Sequence, residues 1–326
     1  MKSMKSRLPM AIILGTAWFL AVAFPTGSLA ASDGTIALKK LLSWNLSATD
    51  SIALEIGGEK VRFFPQSFAI EGNRLIFLNR HDPSMVSYSL ETLAPERLLR
   101  LKHEKDKKFS ASFFIDLALT PEGLFGLEQS TGTLRRIGED GAITDVFRAT
   151  KTIGAIIVRT WRIGENRFAF LDKGKKRLLL RDISDRNLNK NPDRNGRAID
   201  IGKALPACNT HGFTGLVKKP DGSWEVFFQS LTEQRRVAIA NWSAASVFPL
   251  DCDDSGFYFY LDDDKRPRVV RITEKAGQFS CRAYSSPRMS FSGRVTRLAR
   301  IGGEDRLLVL LYKDKELSLQ EALLKD

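Results

Sequence analysis

An all-β, six-bladed β-propeller of mostly four-stranded antiparallel blades, closed by an N-terminal strand, is the fold that three observations predict. A short apolar run ending in a polar residue recurs six times. Each copy follows a tight-turn signal. The polar positions lie 49, 44, 57, 33 and 50 residues apart, about 47 on average, close to the length of a four-stranded propeller unit.

The chain opens with Lys2, Lys5 and Arg7, an apolar run from Leu8 to Phe24, a break at Pro25-Thr26-Gly27, and the small-residue stretch Ser28-Leu29-Ala30. This is the layout of a secretory signal peptide cut after Ala30. The competing reading, an uncleaved anchor, meets a run near the short end for a span. Residues 31–326 are then one exported propeller domain, periplasmic or extracellular, with no stable membrane span after cleavage. Ile36–Leu46 is strand-like and belongs to no repeat, so it is expected to complete the final blade and remove an exposed sheet edge.

The repeats read Leu75-Ile-Phe-Leu78 then Asn79, Leu124-Phe-Gly-Leu127 then Glu128, and Phe168-Ala-Phe-Leu171 then Asp172. They continue as Glu225-Val-Phe-Phe228 then Gln229, Phe257-Tyr-Phe-Tyr-Leu261 then Asp262, and Leu308-Val-Leu-Leu311 then Tyr312. Turn signals such as Glu71-Gly72-Asn73, Pro121-Glu122-Gly123 and Pro220-Asp221-Gly222 precede them. Gly and Asn accept positive φ and Pro presets φ, so these are hairpin turns. Third strands are expected at Met85–Leu90, Thr133–Ile137, Arg177–Asp182, Arg236–Ala240 and Arg268–Ile272, and fourth strands at Ala142–Phe147 and Gln278–Tyr284.

Two spacings are irregular. The long one contains the Asn/Asp/Arg-rich insertion Ser184–Gly196, expected between a third and a fourth strand. The short one implies a truncated fourth blade with a short or missing outer strand. Helical periodicity is weak except for a short segment at the C-terminus.

Leu171-Asp172-Lys-Gly-Lys-Lys-Arg177-Leu178 resembles the NHL-type repeat, in which an apolar run ends in Asp and a basic residue opens the next strand. Asp262 with Arg268 and Glu128 with Arg135 repeat it more loosely. The resemblance implies a member of the six-bladed propeller superfamily. The chain is also similar to gluconolactonase-like six-bladed enzymes in blade number and in having acidic and amide groups at the funnel. That similarity implies a calcium-type site but carries no catalytic residue across.

On this reading Asn79, Glu128, Asp172, Gln229, Asp262 and Tyr312 point to one face and form, with His81, the candidate ligand-binding set. Glu128, Asp172 and Asp262 could hold Ca2+ or another divalent cation through oxygen. The simpler explanation of a shared polar position is that each group caps its own loop. His81-Asp82 could move a proton, or His81 is an exposed loop residue. Asn191-Pro-Asp193-Arg-Asn195-Gly196 has a calcium-loop rhythm but lacks the leading Asp and the final Glu. It is read as a polar loop.

The chain has 50 Lys+Arg against 38 Asp+Glu, a net +12. Removing residues 1–30 leaves +9. For an exported protein this points away from nucleic acid and toward anionic lipid, acidic glycan or simple solubility. The clusters Lys102–Lys108 and Lys173–Arg181 read as solvated loops. Three cysteines, Cys208, Cys252 and Cys281, exclude a disulfide scaffold. One bridge is permitted, with Cys252–Cys281 preferred because both fall in one blade. No serine-nucleophile elbow, Walker loop, Cys-x-x-Cys or haem motif occurs. The functional expectation is a binding module for a protein, peptide or glycan. The alternative is a divalent-metal-dependent hydrolase or lactonase with its site in the funnel.

Overall fold

A computed structural model of the chain describes residues 32–46, 51–103, 114–120, 122–128, 132–148, 156–183, 196–233, 235–262, 267–285, 295–301, 304–313 and 315–325. The expected signal segment, residues 104–108 of the first basic cluster and the insertion from 184 to 195 lie outside the described residues. Among the described residues no helix is long and apolar enough to cross a membrane.

Strand β1 (Ser32–Asn45) is followed by a hairpin of β2 (Ile52–Ile56) and β3 (Glu59–Phe63). Blade 1 then comprises β4 (Pro65–Glu71), β5 (Arg74–Asn79), β6 (Ser84–Ser89) and β7 (Pro95–Arg100). The two-residue β8 (Lys102–His103) pairs in parallel with the outer edge of blade 2. That blade holds β9 (Phe114–Thr120), β10 (Gly123–Glu128), β11 (Thr133–Ile137) and β12 (Ala142–Arg148). Blade 3 is β13 (Ile157–Arg162), β14 (Arg167–Asp172), β15 (Arg177–Asp182) and β16 (Gly196–Asp200). Blade 4 is β17 (Leu205–Cys208), β18 (Gly212–Lys218), β19 (Trp224–Ser230) and β20 (Arg236–Trp242). Blade 5 is β21 (Ser246–Asp253), β22 (Gly256–Asp262), β23 (Arg268–Lys275) and β24 (Gln278–Ser285). Blade 6 takes β25 (Val295–Ile301), β26 (Glu304–Lys313) and β27 (Glu316–Lys325).

The first strands of the blades neighbour one another in a closed cycle: β4, β9, β13, β17, β21, β25 and back to β4. This is a six-bladed propeller. The N-terminal strand completes it as expected, pairing antiparallel with β27 from Thr35↔Lys325 to Asn45↔Glu316. Its first residues also pair in parallel with β24, from Ser32↔Arg282 to Thr35↔Ser285. Blades 5 and 6 are thereby joined edge to edge.

The continuous apolar character of the second strands has a packing cause. A blade is covered on both faces, so successive side chains bury toward opposite neighbours. Leu75 and Phe77 pack toward blade 6, while Ile76 and Leu78 pack toward blade 2. Among the described residues the same division gives one apolar cluster at each of the six inter-blade interfaces. The blade 6–blade 1 cluster is aromatic. Trp44 from β1 meets Phe63, Phe77 and Tyr88 edge-on, with ring centroids 5.7–6.0 Å apart.

Several expectations are corrected. Blade 4 is not truncated: its outer strand β20 spans seven residues and its shortest strand is the innermost, β17. The run before Gln229 belongs to the third strand β19, and the second strand is β18, ending at Lys218. With Lys218 in place of Gln229, the two irregular intervals become 46 and 44 residues. The C-terminal segment is strand β27 rather than helix, because both faces are needed to bury Leu317, Leu319, Ala322 and Leu324. Arg181, expected in a solvated loop, is buried in β15.

The cysteines are all thiols. Cys252 and Cys281 stand in one row across blade 5, through Phe257 and Ile272. Three strand spacings, roughly 14 Å, separate them, far beyond the reach of a disulfide. Cys252 instead faces blade 4, where its Sγ donates to the Cys208 carbonyl at 2.6 Å.

Two outcomes follow from the closure cluster. Trp44→Ala is expected to lower unfolding free energy by about 3–5 kcal/mol, read from denaturant titration. Burial pushes the Tyr88 phenol up to about 12, against a smaller lowering by its hydrogen bond with Trp44. The folded state therefore favours the neutral phenol. That stability is complete below the ordinary value near 10 and is lost as pH rises toward 12. Wild type should lose about 2 kcal/mol more than Tyr88→Phe across that window, measured by unfolding at pH 9, 10, 11 and 12.

Candidate functional site

Strands alternate in direction within each blade. The start of strand one, the end of strand two and the loop leaving strand four therefore share one face, the upper face. The turns joining strands one and two, and three and four, share the lower face. Asn79, Glu128, Asp172, Asp262 and Tyr312 all lie at or near the upper end of a second strand. Gln229, one residue from the end of β19 and paired with Phe213, lies toward the lower face and leaves the set.

Asn79 is fully buried and binds backbone on three sides. Its Oδ1 accepts from Phe64 N (3.0 Å) and His81 N (3.2 Å), and its Nδ2 donates to Arg62 O (2.8 Å). It fastens the end of the β2–β3 hairpin to blade 1. Asp172, also fully buried, accepts from the backbone of Ile156 (3.1 Å), Gly174 (3.1 Å) and Lys175 (3.3 Å) through Oδ1. Its Oδ2 accepts from Arg177 Nε at 3.1 Å. Glu128 accepts from Arg135 Nε (3.0 Å) and Nη2 (2.7 Å), and Arg135 reaches Asp145 at 3.2 Å. These groups are bound within their own blade or to the hairpin or loop that leads into it. A buried carboxylate requires such compensation.

The rest are less enclosed. Asp262 is half-buried, with the loop after it outside the described residues. Tyr312 is 40% exposed and approaches the Phe64 ring at 6.5 Å. His81 is exposed and meets the same ring edge-on at 6.1 Å. Its neighbour Asp82 pairs with Arg100 at 3.5 Å. Among the described residues no three His, Cys, Asp or Glu side chains are placed to hold one metal ion. Glu128, Asp172 and Asp262 thus stand as separate positions in three blades.

The upper face carries a feature that residue patterns did not show. Ile156 (59% exposed) precedes β13, Leu205 (46%) opens β17, and Phe248 (48%) lies near the start of β21. With Tyr312 they form four exposed large apolar side chains on one face, from four consecutive blades. Three stand at the beginnings of innermost strands, beside the central axis. Phe248 is held by stacking on Tyr260, with centroids 6.4 Å apart at 19°. Exposed cations flank them: Arg80, Lys173, Lys175, Lys176, Lys203 and Lys315.

Comparison with protein-family models gives no match, and neither does comparison with curated protein sequences. Among solved structures, similarity is found to a 6-phosphogluconolactonase candidate from Bacteroides fragilis, with TM-score 0.46, 11% identity, and 86% of this chain and 88% of that chain covered. A TolB candidate from Agrobacterium tumefaciens gives TM-score 0.47 and 9% identity over 89% and 98% of the two chains. A second 6-phosphogluconolactonase candidate, from Bacteroides uniformis, gives 0.46 and 13% over 86% and 90%. Likeness at this level carries no argument about activity, and the blade count rests on the strand pairing described above.

Removing the Asp172 carboxylate strands Arg177 and three backbone N–H groups. Asp172→Ala is expected to destabilise the protein by about 3–5 kcal/mol, with Asp172→Asn intermediate, both read by denaturant unfolding.

Proposed function

We propose that the chain is an exported binding module whose upper face holds a protein or peptide partner. The observation that supports this is the arc of Ile156, Leu205, Phe248 and Tyr312. Large apolar side chains held at the surface cost hydration, and when grouped on one face they mark a contact surface. Their varied shapes, two aliphatic and two aromatic, suit a protein or peptide better than a glycan, which offers hydroxyls and flat sugar faces. The flanking lysines favour a partner with acidic groups beside its apolar anchors, which would also speed encounter. A rigid ring with loops at its mouth keeps such a surface in place without a catalytic constellation. Export rests on the basic, apolar and small-residue leader, and a mature N-terminus at Ala31 in the isolated protein is its direct check.

The test is affinity capture of cross-linked partners from envelope and culture-fluid fractions. Wild type is compared with an Ile156→Ser/Leu205→Ser/Phe248→Ser variant. The expected result is one partner retained by wild type, reduced at least tenfold by the triple change, and released by raised salt. Equal recovery by both proteins overturns the reading. The hydrolase alternative predicts something different: calcium-dependent lactone hydrolysis by the purified protein, abolished by chelator and by Asp262→Ala, and insensitive to the triple change.

A further inference from the structure

We infer that a cleft between blades 1 and 2, on the lower face, is a binding site for a small carboxylate with an unbranched apolar body. The cleft encloses about 300 Å3, the lower end of the range for small-ligand pockets. It lies where the blade 1–blade 2 interface opens between three turns, at Glu71–Arg74, Gly123 and Gly138–Glu139. Its apolar walls are Ile76, Met85 and Leu99 from blade 1 and Leu124 and Ile137 from blade 2.

Two features mark it as more than imperfect packing. The first is Ser87 on β6, which lines the cleft with a buried Oγ that has no hydrogen-bond partner. A buried hydroxyl left unpaired is costly. Three residues before the upper ends Asn79 and Asp172 stand Ile76 and Ala169, both turned toward the following blade, with third-strand partners Ser87 and Leu180. Blade 3 thus packs a buried aliphatic where blade 1 places a hydroxyl. The second is Arg97, the direct β7 partner of Ser87. Ile76, Ser87 and Arg97 therefore form one row from apolar wall to cation. Arg97 gives one N–H to the Glu139 carbonyl at 2.7 Å and, among the described residues, pairs with no carboxylate. Its fork has further donors. Arg74, across the mouth, is already matched with Glu71 at 3.2 Å. A ligand carboxylate would accept from Arg97 at the mouth, while its chain covers the five apolar residues in the space that the small Ser87 side chain leaves open.

The full-length mature protein is titrated with sodium octanoate by calorimetry, with octanol and octylammonium as matched probes. Saturable one-to-one octanoate binding is expected, with a dissociation constant below about 1 mM and at least tenfold preference over both probes. Arg97→Gln should weaken octanoate at least tenfold. Ser87→Leu, the residue blade 3 uses, should fill the cleft, abolish binding and leave the protein folded by circular dichroism. No saturable binding overturns the inference. So does equal affinity for octanol, or binding unchanged in Ser87→Leu or Arg97→Gln. The upper-face triple variant should bind octanoate as wild type does, so this site and the partner surface fail or stand separately.

Discussion

The pairing of the first strand with the last is the constraint on which the ring depends. A propeller blade is half-covered unless it has neighbours on both sides, and each apolar cluster belongs to two blades at once. Blade 6 would lack its outer strand without β1, and the aromatic cluster of Trp44, Phe63, Phe77 and Tyr88 would lose the ring that the N-terminal strand contributes. Ten register pairs between β1 and β27 hold that junction. A slip by one residue would turn Trp44 away from its three partners, because side chains alternate between faces.

Within this frame, the polar residues at second-strand ends work mainly as local fasteners. Asn79 ties the β2–β3 hairpin to blade 1, and Asp172 gathers the loop before β13 and the loop after β14 onto a single carboxylate. Both are fully buried, which makes their full hydrogen bonding necessary. The side chains that stand exposed among the described residues have a different character. On the upper face these are apolar and cationic. On the lower face they meet at a cleft with a polar row in one wall.

The blade number, the closing strand and five of the six second strands were legible, because a strand buried on both faces reads as an unbroken apolar run. Blade 4 was misread for a physical reason. Its second strand, Gly212-Phe-Thr-Gly-Leu-Val-Lys218, has two glycines and a threonine, so it looks weak beside Glu225-Val-Phe-Phe228. The glycines are required by those same aromatics: a Cβ on Gly215 would sit 2.1 Å from the Phe227 ring, and one on Gly212 would sit 2.6 Å from Phe228. The third strand fills the space that the second leaves. The site was less legible. Asp172 with Arg177 could be paired from spacing. The exposure of Ile156, Leu205 and Phe248 could not, since apolar residues at loop ends look alike whether covered or bare. The Ile76–Ser87–Arg97 row depends on register, which composition does not encode.

The double engagement of β1, antiparallel to β27 and parallel to β24, bears on how the molecule comes into being. Residues 46–315 separate the strand from its main partner. Ile36, Leu41, Leu42 and Trp44 must therefore wait for β27 through the synthesis of everything between. Joining ends so distant is entropically only modestly worse than joining nearer ones, since the penalty grows with the logarithm of the separation. The delay is the greater hazard, because an early apolar strand with open edges is prone to wrong association. The ring therefore cannot close, nor the edges of β1 be covered, until β27 has been made.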